Sequence, residues 1–220
     1  MPPASPTLAD LPAEIPVFPL AGALLLPRGK LPLNIFEPRY LAMTEDALGA
    51  GRMFGMVQPD KARPDGPTGP AIFRVGCLGR IASFTETEDG RYLINLVGVL
   101  RFRVAEELEM RRGYRRIRAD YTPFAEDLAP ALPAVLDRAA LLPLLRAFFT
   151  ARGLDANWEA LERMPDETLV TTLAMACPFE VPEKQALLEA AGEAERAETL
   201  LALLRMAAHE NGPDENRHVS

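Results

Sequence analysis

Leu78-Gly-Arg-Ile-Ala-Ser-Phe-Thr-Glu-Thr-Glu-Asp-Gly-Arg-Tyr-Leu-Ile-Asn-Leu-Val97 decides how the N-terminal half folds. Two apolar runs, Arg80-Ile-Ala-Ser-Phe84 and Tyr92-Leu-Ile-Asn-Leu-Val97, flank Glu88-Asp-Gly-Arg91. An Asp-Gly pair accepts the left-handed backbone of a tight turn, so residues 78–97 read as a β-hairpin. Outward from it lie further short apolar runs: Arg101–Val104 on one side, and Ala71–Val75, Met53–Val57, Leu31–Ile35 and Ile15–Phe18 on the other. Each is bounded by Gly or Pro and reads as a strand. Gly76 and Gly79 bracket a position where a strand bends or bulges. One helix interrupts the sheet. Pro38 suits a first helical position after Glu37, apolar residues recur from Tyr40 to Leu48, and Gly49 with Gly51 ends it. Gln58 to Pro70, with four prolines and two glycines between strands, is a long loop of the kind that carries binding.

After Pro123 the periodicity becomes helical, over Pro133–Thr150, Asn157–Met164, Glu167–Ala176, Glu183–Ala191 and Glu193–His209. Asp155 and Asp166 are placed as caps, and Pro165, Pro178 and Pro182 as breaks. In the last helix Leu200, Leu203, Leu204 and Ala207 form an apolar stripe opposite Glu195, Glu198 and Arg205. The organisation expected is a poorly ordered lead (1–13), a β-rich subdomain (14–124), a helical subdomain (125–209) and a frayed tail (210–220), in the α+β class.

Composition narrows the function. Of 220 residues, 48% are apolar and 25% charged, the balance of an ordinary globular domain. The net charge of −7 argues against a dominant nucleic-acid surface, which needs clustered cations. No Lys or Arg precedes Arg28, so a secretory n-region is not indicated, and the apolar stretch Leu20–Leu26 is too short to span a bilayer. Cys77 and Cys177, each in an apolar setting, read as reduced thiols in a cytoplasmic core, with a disulfide between them as the lesser alternative.

Catalytic sets are not assembled. The serines are Ser5, Ser83 and Ser220, and the histidines His209 and His218, which leaves no Ser-His arrangement. Lys30, Lys61 and Lys184 lack a dyad setting, no paired Cys or His motif suggests zinc, and no phosphate-binding Gly-rich loop is present. No enzyme activity, metal or cofactor is expected. The one basic cluster, Arg111, Arg112, Arg115, Arg116 and Arg118 with Tyr114 and Tyr121 nearby, could contact RNA or an acidic partner. Its plainer reading is a solvated edge strand that uses charge against sheet aggregation.

Several of these segments recur in one family in the same order. Ile15-Pro-Val-Phe-Pro-Leu20, Leu25-Leu-Pro27, Leu33-Asn-Ile-Phe-Glu-Pro-Arg-Tyr40, Phe54-Gly-Met-Val-Gln58, Gly76-Cys-Leu-Gly-Arg-Ile81, Asp89-Gly-Arg-Tyr92, Leu96-Val-Gly-Val-Leu-Arg-Phe-Arg103, Pro178-Phe179 and Glu183-Lys-Gln-Ala-Leu-Leu-Glu189 closely resemble the N-terminal, substrate-binding domain of Lon proteases. The likeness runs over about residues 14–209. It implies a β-rich PUA-like pseudo-barrel with one inserted helix, followed by a helical bundle. In the full protease this domain precedes an ATPase and a Ser-Lys peptidase domain. Here the chain ends where they would begin, so the expectation is a free-standing bacterial-type member that recognises without processing.

The resemblance implies a non-catalytic protein-binding module that takes unfolded or degron-bearing polypeptides, as an adaptor or holding factor. Its partners would be a polypeptide substrate or a folded protein, including a separate ATP-dependent protease. An RNA-binding module of PUA-like fold is the alternative, and no membrane partner is expected. The peptide surface is sought at the apolar turn Leu24-Leu25-Leu26 and at Gln58 and Pro59, where the long loop begins. The motif residues Phe36, Glu37, Pro38, Arg39, Tyr40, Gly79, Arg80, Gly90, Gly98, Arg101 and Arg103 read as structural. Phe36 and Tyr40 are expected in the core, and Arg39 on buried carbonyls or a carboxylate.

Overall fold

The computed structural model describes residues 7–130 and 136–210. Its strands are β1 (Glu14–Pro19), β2 (Lys30–Ile35), β3 (Met53–Val57), β4 (Val75–Glu86), β5 (Tyr92–Arg111) and β6 (Tyr114–Asp120). Its helices are α1 (Pro38–Gly49), α2 (Arg138–Ala151), α3 (Trp158–Arg163), α4 (Asp166–Ala176), α5 (Val181–Glu189) and α6 (Glu193–Glu210). Contacts divide the chain into two compact units. The first holds the described residues up to 130 together with Met175–Glu189, and the second holds the rest.

The first unit is a six-stranded sheet that closes on itself. β5 pairs with β4, β4 with β3, β3 with β1 in parallel, β1 with β6, and β6 returns to β5, while β2 adds to the outer side of β5. The 78–97 hairpin forms as expected, with Gly90 at φ +76° in its turn. Of the runs read from the sequence as separate strands on either side, Arg101–Val104 is continuous with it in β5, whereas Ala71–Arg74 lies outside β4, and there Ile72 makes only an isolated bridge to Pro59. β5 is 20 residues long, about 66 Å if straight, and it serves two parts of the barrel because bulges bend it. Its first part lies between β2 and β4, its last part along β6, and the ladders slip at Leu78/Gly79, Ile81/Ser83, Val104/Glu106 and Leu108/Arg111.

Two motif glycines are fixed by this bending. A Cβ on Gly98 would collide with the Leu26 carbonyl, and one on Gly79 with the Leu96 side chain. Inside the barrel Ile15, Val17, Leu78, Leu100, Phe102 and Ile117 are inaccessible to solvent. α1 begins as expected, with Pro38 in its first turn after Glu37, and Tyr40 stacks on Phe18 at 4.1 Å.

Residues 7–13, expected in a poorly ordered lead, are folded. Leu8–Asp10 form a 3-10 turn in which Asp10 accepts from the Thr7 amide and hydroxyl, Leu11 is buried, and the Ala119 amide donates to the Ala13 carbonyl. The rest of the lead, and the tail beyond Glu210, lie outside the described residues.

The expected boundary near residue 124 also differs from the structure in one respect. α5 belongs to the barrel unit, tied to it by buried polar side chains. Lys184 Nζ donates to the Gly22 carbonyl at 2.6 Å and to that of Met175 at 3.2 Å, and Gln185 donates to the Val75 carbonyl at 3.1 Å. Gln58 accepts from the Gly22 amide and donates to the Val181 carbonyl, both at 3.3 Å. Burial pushes the Lys184 ammonium below its ordinary range.

In the second unit α2 packs on α6, whose stripe of Leu200, Leu203, Leu204 and Ala207 is buried as read. The caps differ from those expected: Asp137 receives the Ala140 amide and Asn157 that of Ala160. Among the described residues Asp155 accepts only from its neighbour Ala156, and Asp166 lies inside the first turn of α4, paired with Arg138. The expected start of the second helix at Pro133 lies outside the described residues.

Candidate functional site

The apolar turn Leu24-Leu25-Leu26 is not a surface. The three side chains are exposed by only 1%, 1% and 0%, and they form part of the core. The reason lies in the close approach at Gly98: the Leu26 backbone sits on β5, with Arg28 donating to the Gly98 carbonyl and Gly98 to that of Gly29. Gln58 is likewise buried and used as described above, while Pro59 is half-buried and bridges to Ile72. They form the root of the long loop, not its binding face.

The basic cluster is also placed differently. β6 lies between β1 and β5, so it is no edge strand. Its arginines meet carboxylates on the flanking elements. Arg116 reaches Glu14 at 2.7 Å, Arg118 reaches Glu106 at 2.8 Å, and Arg115 reaches Glu107 at 2.6 Å. Arg112 holds Glu45 and Asp46 of α1 at 2.7 and 2.8 Å, with Arg111 3.3 Å from Asp46. The Tyr114 hydroxyl donates to Asp46 at 2.6 Å and, ahead of the arginines, holds that carboxyl below its usual range. Burial and this bond push the Tyr114 phenol up to about 12. With its charges paired to neighbouring carboxylates the cluster no longer favours RNA, and that alternative is left with the PUA-like resemblance alone.

Of the motif residues, Phe36 departs from expectation: it is 60% exposed, with the Arg91 guanidinium 5.6 Å from its ring centre. Arg39 finds a carboxylate, Glu37 at 2.8 Å, but on the surface and stacked 4.5 Å from the Tyr40 ring. Arg80 is exposed, near Met53, and Arg103 is exposed on β5 opposite Asp120. Arg101 is buried. It clasps Asp127 through Nε at 2.9 Å and NH2 at 2.8 Å, donates to the Leu188 carbonyl, and stacks 4.7 Å from the Phe124 ring. This fastens the 3-10 segment Thr122–Leu128 to the barrel.

The loop itself builds a cleft. Residues 58–70 fold back over the last part of β5, where the Thr68 hydroxyl donates to Glu107 at 2.9 Å and Arg115 donates to the Pro70 carbonyl at 2.7 Å. Beneath it is a cleft of about 430 Å³ with Ala71, Ile72 and Leu108 on its apolar side and Arg63, Arg74 and Glu109 among its charged lining. Burial pushes the Glu107 carboxyl up, but hydrogen bonds from Arg115 and Thr68 outweigh it and hold the group below its usual range. Arg63 and Arg74 make only long contacts, 3.5 Å each, to the Ile72 and Val104 carbonyls, and among the described residues neither forms an ion pair. The sequence marked the loop but not these two arginines, because nothing local distinguishes an arginine with a partner from one without. Among the described residues there is no metal-holding cluster of His, Cys, Asp or Glu, and no helix long and apolar enough to cross a membrane.

A closed barrel joined to helices, with a cleft under its one long loop, places the chain in the class of mixed barrel-and-helix domains. A family model described as the ATP-dependent protease La (LON) substrate-binding domain matches residues 14–206, and the chain belongs to that family. It is 22% identical over 204 residues to a Lon protease of Flavobacterium johnsoniae, covering 87% of this chain and 24% of that one. It is 28% identical over 111 residues to Lon protease 2 of Myxococcus xanthus, covering 50% of this chain and 13% of that one. The chain thus spans at most about a quarter of the length of these relatives. A crystal structure of a Lon N-terminal domain protein from Xanthomonas campestris superimposes with TM-score 0.59 at 25% identity, covering 86% of this chain and 97% of that one. The N-terminal domain of a Mycobacterium avium complex Lon protease also gives TM-score 0.59, at 17% identity over 87% of this chain and 98% of that one, and shares the fold.

Proposed function

We propose that this chain is a non-catalytic polypeptide-recognition module that captures unfolded or degron-bearing chains for ATP-dependent proteolysis, as an adaptor or a holding factor. The observation that carries the reading is the match of residues 14–206 to a substrate-binding domain. The cleft under the 58–70 loop supports it, since about 430 Å³ accommodates a few side chains of an extended segment rather than a folded surface. Its wall is held by Glu107 and Arg115, so an incoming chain meets a preformed site. The partners are polypeptide clients and, for the adaptor role, a protease of the Lon type. The compartment is the cytoplasm, in keeping with two cysteines, Cys77 and Cys177, that are buried in apolar settings.

Fluorescence anisotropy tests this. The protein is titrated against a labelled, permanently unfolded polypeptide, against the same polypeptide in a folded form, and against single-stranded RNA, all at physiological salt. Saturable binding of the unfolded chain alone is expected. Binding of RNA alone, or of neither polypeptide form, would sink the reading.

A further inference from the structure

We propose that the cleft under the 58–70 loop selects polypeptide segments in which a carboxylate adjoins apolar side chains, with Arg63 and Arg74 receiving the carboxylate. This rests on the polypeptide-binding reading above and names the chemical class of its client.

The argument starts from how the protein's charges are used. The arginines of β6 and its turn are consumed by Glu14, Glu45, Asp46, Glu106 and Glu107, and Arg101 is consumed by Asp127. Within the cleft Arg115 is spent on Glu107 and the Pro70 carbonyl, and Glu107 also takes the Thr68 hydroxyl. Among the described residues, the cleft charges that form no ion pair are Arg63 from the loop, Arg74 just before β4, whose charge also helps to lower the Glu107 carboxyl, and Glu109. The cleft is therefore locally positive in a chain whose net charge is −7. An exposed guanidinium beside an apolar wall offers a planar pair of donors that a carboxylate can accept. The wall, Pro64, Pro67, Ala71, Ile72 and Leu108, takes the neighbouring aliphatic groups.

Phosphate is the weaker fit. Two guanidiniums without an ion pair suffice for one carboxylate but fall short of the run of cations that a polyanionic backbone needs, and no aromatic ring lines the cleft to stack a base. The favourable term is short-ranged, because the protein's overall charge repels an acidic chain at a distance. Selectivity therefore resides in the cleft and not in steering.

The test uses the full chain and three labelled peptides that differ only in one residue type: leucines interspersed with glutamate, with glutamine, or with lysine. The expected order of affinity is glutamate, then glutamine, then lysine. Arg63→Gln with Arg74→Gln weakens the glutamate peptide roughly tenfold and leaves the glutamine peptide unchanged, while Arg63→Lys with Arg74→Lys restores part of the loss. Both arginines are exposed, and circular dichroism checks that the fold survives. If the glutamine pair misfolds, the peptide series on the unaltered protein still decides. Equal binding of the three peptides, with unfolded polypeptide still bound, would overturn this inference and spare the module reading. No binding of any peptide or unfolded polypeptide would overturn both. Binding of single-stranded RNA that the glutamine pair abolishes would assign the arginines to phosphate and overturn the carboxylate proposal.

Discussion

Replacing Asp127 by alanine strips the buried Arg101 guanidinium of its counter-ion. Arg101 is 3% exposed, and Asp127 accepts from its backbone amide, its Nε and its NH2 at 2.8–2.9 Å. Breaking one half of a buried pair costs about 3–5 kcal/mol, because the remaining charge stays desolvated. Arg101 keeps the Leu188 carbonyl and the Phe124 ring, which places the expected loss at the lower end, about 3 kcal/mol. With a urea m-value of roughly 2.5 kcal/mol per M, the unfolding midpoint falls by about 1.2 M. The sole tryptophan, Trp158, lies in the helical unit, so the barrel is best followed by amide exchange in β4 and β5. Arg101→Met with Asp127→Leu, which removes both charges, should regain most of the loss, whereas Arg101→Lys should not, since a lysine cannot supply the paired donors. A cost below about 1 kcal/mol for Asp127→Ala would place the pair among ordinary surface bridges and refute the clasp.

Gly98→Ala drives a Cβ into the Leu26 carbonyl and is expected to cost about 2 kcal/mol or more, read as a fall in Tm, whereas Gly79→Ala meets the more yielding Leu96 side chain and costs less. Leu25→Asp places a carboxylate in the core and should abolish soluble expression; a folded, merely weaker-binding variant would show that the leucine turn is a surface after all. Alkaline stability should fall between pH 10 and 12: Tyr114 is raised to about 12 and Tyr121 is raised too by burial, so unfolded chains lose their phenolic protons first and the stabilisation present below pH 10 disappears as pH rises through the folded values. Tyr114→Phe should flatten part of that slope in urea titrations at pH 9 and 11. Phe36→Ser with Leu93→Ser, on the exposed outer sheet, should leave polypeptide binding unchanged; a marked loss would move the site from the loop cleft to that face.

Features carried by neighbouring residues were legible in the sequence. The Asp-Gly hairpin, the start of α1 at Pro38 and the α6 stripe depend on local turn chemistry and periodicity. Features settled by distant partners were not. A charged run such as Tyr114–Asp120 looks the same at a sheet edge and inside a barrel, and only Glu14 and Glu106, more than ten residues away or farther, explain Arg116 and Arg118. Lys184 and Gln185 have the composition of a solvated helix, yet their partners Gly22 and Val75 lie more than a hundred residues upstream. The leucine turn failed for the same reason: apolarity marks a residue as able to be buried or to bind, and the contact made by Gly98 decides which.

The cleft shows how that division bears on function. Holding a loop rich in proline and glycine against a barrel requires its polar groups to be met, and Arg115 does this for the Pro70 carbonyl while Glu107 does it for the Thr68 hydroxyl. Both anchors stand on paired strands, Arg115 on β6 between β1 and β5, and Glu107 on the last part of β5, which pairs with β6. The loop's rim residues are thereby released from structural duty. A rim arginine such as Arg63 can be exchanged at little cost to the fold, so the chemistry of the client can be altered without disturbing the frame that presents it.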